Sequence, residues 1–200
     1  MLGCLKKILQ ILILSFAVIG FLSIGGKEFV IEQYNKFLED YKENILEKAG
    51  KLGDFSQISE EFTIDRTANA FGYQGVLAEH NASGQKIIIV KSNRNPIVTP
   101  EDFKQGNVET KINSLIKKFK YQSLQIDNFT ITKKGTMNAY GKQVQYVKFT
   151  AEINKLPLGK IGGIISAVDI TPEDTRTIIA LNEHKKYSQL ITNEFFKKVK

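Results

Sequence analysis

The stretch Gln143–Ile153, QVQYVKFTAEI, decides how this chain folds. Val147, Phe149, Ala151 and Ile153 stand at every second position, so an extended backbone places them on one face of a strand. Similar runs precede it at Ile126–Lys134 and follow it at Ile161–Ile170 and Arg176–Asn182. Between the last two, Thr171, Pro172, Glu173 and Asp174 read as a hairpin turn with proline at its second position. Strands joined this closely pair antiparallel, because a parallel return needs a crossover of about a dozen residues.

Upstream, Phe62–Arg66 alternates in the same way, and Tyr73–His80 with Lys86–Lys91 predicts a hairpin turning through Asn81–Gln85. Ile87, Ile88, Ile89 and Val90 run without a polar break, as expected of a central strand covered on both faces. Thr99, Pro100, Glu101 and Asp102 form a helix start, with a hydroxyl cap, a proline where no donor is needed, and acids at the positive helix end. That helix is predicted to reach about Tyr121. It buries Val108, Ile112, Leu115, Ile116 and Phe119, turns Lys111, Lys117, Lys118 and Lys120 outward, and is weakened by Gly106. A closing helix is predicted over Lys185–Val199, with Tyr187, Leu190, Ile191 and Phe195 on its apolar side.

Ahead of the strands, Ile31, Tyr34, Leu38, Tyr41, Ile45 and Leu52 give Lys27–Gly53 the pattern of one amphipathic helix. Its spacing imitates a heptad seam and would permit weak self-association through residues 31–52, although Lys48 occupies a seam position. The predicted organisation is a membrane segment at 1–26, an amphipathic helix and linker at 27–61, and a globular domain at 62–200. The predicted fold class is α+β, an antiparallel sheet flanked by helices on both faces. With a core starting at Phe62, a fragment beginning at Asp54 is expected to fold alone. This element order, over Phe62–Lys200, resembles the PsbP-like superfamily of small αβα sandwiches and the similar DcrB-like lipoproteins. The resemblance implies a non-enzymatic accessory role and carries over no functional residue. Several members of that group are lipid-anchored through cysteine, whereas Cys4, the single cysteine of this chain, precedes its apolar run.

From Ile8 to Ile24 the chain carries no charge and consists mostly of Ile, Leu, Val and Phe. At about 1.5 Å per residue, the run up to Gly26 falls just short of the roughly 30 Å hydrocarbon core. It exceeds the roughly 7 to 15 residues of a signal-peptide apolar region, which favours an uncleaved anchor, with cleavage after Gly25 as the rival. Lys6 and Lys7 precede the run, so the expected orientation has a cytoplasmic amino terminus and an extracytoplasmic bulk, or a secreted one if the segment is removed.

An apolar fraction of 42% and a charged fraction of 24% place the chain among globular proteins and exclude wholesale disorder. The net charge of +7 suits anionic surfaces or acidic partners. Its lysines cluster at Lys117, Lys118 and Lys120, at Lys133 and Lys134, and at Lys185, Lys186, Lys197, Lys198 and Lys200. Phe119 and Phe195 interleave with them at core spacing, so nucleic acid is not an expected partner; the membrane and a protein of the cell envelope are.

Chemistry-bearing residues are sparse. Glu79–His80 and Glu183–His184 stand at strand exits and could supply a zinc set if those ends met. Ser83, near His80, reads as a turn residue with no nucleophile elbow around it. Gly159, Lys160, Ile161, Gly162 and Gly163 match neither phosphate-loop spacing nor a dinucleotide fingerprint, and suit a close backbone approach within a sheet. Glu79, Glu152 and Asp169 leave carboxylate chemistry open. No catalytic, cofactor-binding or metal-binding residue is assigned, and no cofactor is implied. The expected function is an anchored extracytoplasmic accessory or binding domain, with a hydrolase or metalloenzyme as the alternative.

Overall fold

Apolar residues on both sides of one strand demand cover on both sides, and β3 (Lys86–Ser92), inside a wide sheet, obtains it from a core packed on each face. The computed structural model describes residues 45–70, 73–92, 96–117, 126–153 and 160–200. Besides β3, its strands are β1 (Phe62–Ala70), β2 (Tyr73–His80), β4 (Ile126–Ala139), β5 (Lys142–Ile153), β6 (Lys160–Thr171) and β7 (Asp174–Glu183). They form one seven-stranded sheet in the order β1-β2-β3-β7-β6-β5-β4, with every neighbouring pair antiparallel. Two meanders, β1 to β3 and β4 to β7, are thus joined where β3 pairs with β7.

Alternation divides the core. Leu77, Ile88, Val90, Phe149, Ile165, Ile179 and Leu181 gather on one face, and Val76, Ile87, Ile89, Tyr146, Ile164, Ile178 and Ala180 on the other. The first face is patched by Phe103 of α2 (Pro100–Gln105) and by Val108 and Ile112 of α3 (Val108–Lys117). The second is patched by Phe195 and Phe196 of α4 (Gln189–Lys198) and by Ala49 of the helical residues 45–50, α1, followed by Leu52 and Phe55.

The expected α+β sandwich, a sheet flanked by helical layers, is therefore corrected. Strand accounts for 52% of the described residues and helix for 23%, so one antiparallel sheet dominates and its helices are four short segments. Two physical reasons stand out. The helix expected to run from Thr99 to Tyr121 closes after Gln105, because Gly106 takes the left-handed conformation (φ 74°) and caps the chain end onto Asp102 and Phe103 carbonyls. A new helix begins at Val108, and residues 118–121 lie outside the described part. At the same time β4 continues to Ala139, five residues past its expected end at Lys134, and absorbs its irregular stretches as bulges between Asp127 and Thr130 and between Ile131 and Lys133. The predicted membrane helix, and the amphipathic helix before residue 45, also lie outside the described residues.

The start of the core moves as well. Ile45, Ala49, Leu52 and Phe55 are buried, so the core begins ahead of Phe62. Ile45 and Leu52, two positions of the expected self-associating seam, are buried within this fold, Leu52 against the second face of the sheet.

Candidate functional site

The β2–β3 turn holds a serine–histidine contact of the kind that could suggest nucleophilic chemistry. Ser83 Oγ lies 2.9 Å from His80 Nδ1, but the Ser83 backbone N–H donates to the same nitrogen at 3.2 Å, and Gln85 N–H donates to Ser83 Oγ at 3.2 Å. The imidazole is a local turn closure. It is 8% exposed and set edge-on against Phe62, with ring centres 5.1 Å apart. Gln85, fully buried, ties this turn to α4: its amide donates to Ser188 O and Thr192 Oγ1 and accepts from Ser188 N–H.

The zinc set does not assemble. Glu79 pairs with Lys86, Glu183 pairs with Lys186, and His184 rests over Gly162, while no group of three or more candidate ligands exists among the described residues. The three open carboxylates also stay apart. Asp169 accepts from Thr175 Oγ1 at the β6–β7 turn, and Glu152 accepts from Asn128 Nδ2 at the opposite end of the sheet, beside the start of β6. The glycines of β6 answer a steric need: a Cβ on Gly163 would lie 2.1 Å from Ala180 O, and one on Gly162 would lie 2.9 Å from His184 Nδ1.

The densest polar cluster is one that sequence patterning misses. Arg176, 7% exposed, donates from Nη1 to Leu52 O at 2.6 Å and from Nη2 to Asp174 Oδ2 at 3.1 Å. Its guanidinium stacks 4.7 Å from the centre of the Tyr140 ring, and Tyr140 Oη donates to the same Leu52 carbonyl at 2.7 Å. Lys91 adds a second cation on Asp174 Oδ2 at 2.9 Å. Burial works to raise the Asp174 carboxyl, but the hydrogen bonds and charges of Arg176 and Lys91 outweigh it and hold the pKa below its ordinary value. Burial pushes the Tyr140 hydroxyl up to about 12 against the opposing pull of Arg176. The readable signal was Arg176 itself, a charge in register with buried Ile178 and Ala180 on one face of β7.

This cluster is a clamp. It fixes the chain at Leu52 onto the sheet, and the adjacent Asp54 and Lys200 backbones close a two-way bridge, N–H to O, at 2.8 and 3.4 Å. Two open clefts lie on the described surface. One, of about 330 Å³, is lined by Lys48, Lys51, Asn69 and Gln74; the other, of about 610 Å³, by Lys91, Ser92, Glu173 and Asp174. Neither lining contains a histidine.

No family model matches the chain, and no curated protein matches it. No helix among the described residues is long and apolar enough to cross a membrane, and the run Ile8–Ile24 lies outside them.

Proposed function

We propose that this chain is a membrane-tethered accessory domain that binds a protein partner at the cell envelope. Residues 8–24 hold it in the bilayer with the amino terminus cytoplasmic, and the sheet stands outside the cytoplasm. The observation that carries this reading is the uncharged apolar run directly after Lys6 and Lys7. A second observation supports it. Among the buried polar side chains, Arg176 and Gln85 are occupied in tying one element to another, and His80 in closing its own turn.

Protease treatment of intact and permeabilised cells tests the orientation, and crosslinking in native membranes tests the partner. The expected result is digestion of the sheet domain from outside and recovery of one enriched partner. A domain protected until the membrane is opened would contradict the orientation, and crosslinking without enrichment would contradict the binding role.

A further inference from the structure

Leu190 is 78% exposed on the first turn of α4, although helical spacing predicts it inward, and Leu46 is 68% exposed on α1. These are the exposed large hydrophobic side chains among the described residues, and both helices cover the same face of the sheet. Single exposed leucines are ordinary. The charge beside Leu190 is not.

Lys133 and Lys148 stand directly opposite each other in the β4–β5 ladder and so project to one face. Among the described residues neither has a carboxylate within ion-pair distance. Like charges paired across a ladder oppose folding unless an anion answers them. The Lys148 ammonium lies 5.8 Å from the centre of the Tyr187 ring, within cation–π reach, and Tyr187 packs against the second core just ahead of α4. The two lysines, Tyr187 and Leu190 therefore belong to the same side of the molecule.

We propose that this face docks onto the anionic headgroups of the bilayer to which residues 8–24 tether the chain, an inference that rests on that tether. A partner surface of carboxylates alone would satisfy the lysines and leave both leucines in water. Phosphate headgroups above acyl chains answer both, with leucine inserted, tyrosine at the interface and lysine on phosphate.

The chain contains no tryptophan, so Leu190→Trp gives a single emission reporter at an exposed position. The full-length variant is reconstituted into phosphatidylcholine vesicles with and without phosphatidylglycerol. In the anionic vesicles its emission is expected to shift to the blue and to be quenched by lipids brominated in the acyl chain. Adding Lys133→Gln and Lys148→Gln is expected to lower the docked-to-undocked ratio about 30-fold, the effect of two lysines at an anionic surface, and high salt to act in the same direction. Leu46→Trp supplies an independent reporter on α1. Water-like, unquenched emission from both reporters in a chain that stays with the vesicles after carbonate washing would overturn the docking and leave the tether standing. A chain released by that wash would overturn the tether. Quenching equal in neutral vesicles and indifferent to the lysine pair would overturn the role of charge.

Discussion

Arg176 shows how much one side chain can organise. Its guanidinium spans a carbonyl from the amino-terminal segment, a carboxylate on its own strand and an aromatic ring from the β4–β5 turn. Removing it leaves Asp174 and the Leu52 carbonyl short of donors in a poorly hydrated place, so Arg176→Met is expected to cost about 3 kcal/mol in denaturant unfolding. Tyr140→Phe removes one of two donors to Leu52 O and is expected to cost about 1 kcal/mol. A double-mutant cycle should show the two losses to be non-additive, and strict additivity would contradict a shared clamp. The titrations give a second test. Asp174 and Asp102 have lowered pKa values in the fold, so their contribution is present above the ordinary carboxylate value of 3.8 and is lost as pH falls through the folded values. The Tyr140 value is raised, so its contribution is present below pH 10 and is lost as pH climbs toward about 12. Stability measured against pH should fall at both ends, and Asp174→Asn should flatten the acid limb. None of this cluster was read beforehand, because Leu52, Lys91, Tyr140, Asp174 and Arg176 come together only through the sheet topology.

Elements were legible in proportion to how local their causes are. The β2–β3 and β6–β7 turns fall where proline, asparagine and glycine place them, and the Thr99 cap forms the full capping box with Asp102. Thr99→Ala should accordingly cost about 1 kcal/mol. Helix lengths were not legible, one being set by a local cap and another by a distant partner. Gly106 reads as a mild weakness in sequence and becomes a stop in the fold, and the closing helix begins only at Gln189 because Gln85 takes the Ser188 backbone. The expectation that a fragment from Asp54 folds alone also changes at this scale. Such a fragment lacks Ile45, Ala49 and Leu52, three buried side chains, together with the carbonyl that Arg176 and Tyr140 share. Each large aliphatic residue lost from a core costs about 2–5 kcal/mol, so losing Ile45 and Leu52 together is comparable with the whole stability of an ordinary domain. The fragment is expected to show dispersed amide resonances only when residues 45–53 are restored, and a well-dispersed spectrum without them would contradict their place in the core.

For the whole molecule, both edges of the sheet are guarded. β1 is bulged between Ile64 and Arg66, and β4 carries two bulges with Lys133 and Lys134 exposed, which disfavours edge-to-edge pairing between copies. The face proposed for docking is instead the one that α1 and α4 cover, on the side where residues 45–55 enter the second core. If residues 8–24 tether the chain as proposed, the clamp at Leu52 joins anchor and domain into one device. That claim is met most directly by separating cell membranes in alkaline carbonate and determining the amino terminus of the recovered protein. The account requires the full-length chain in the pellet, beginning at Met1. A soluble species beginning near Gly26 would contradict it.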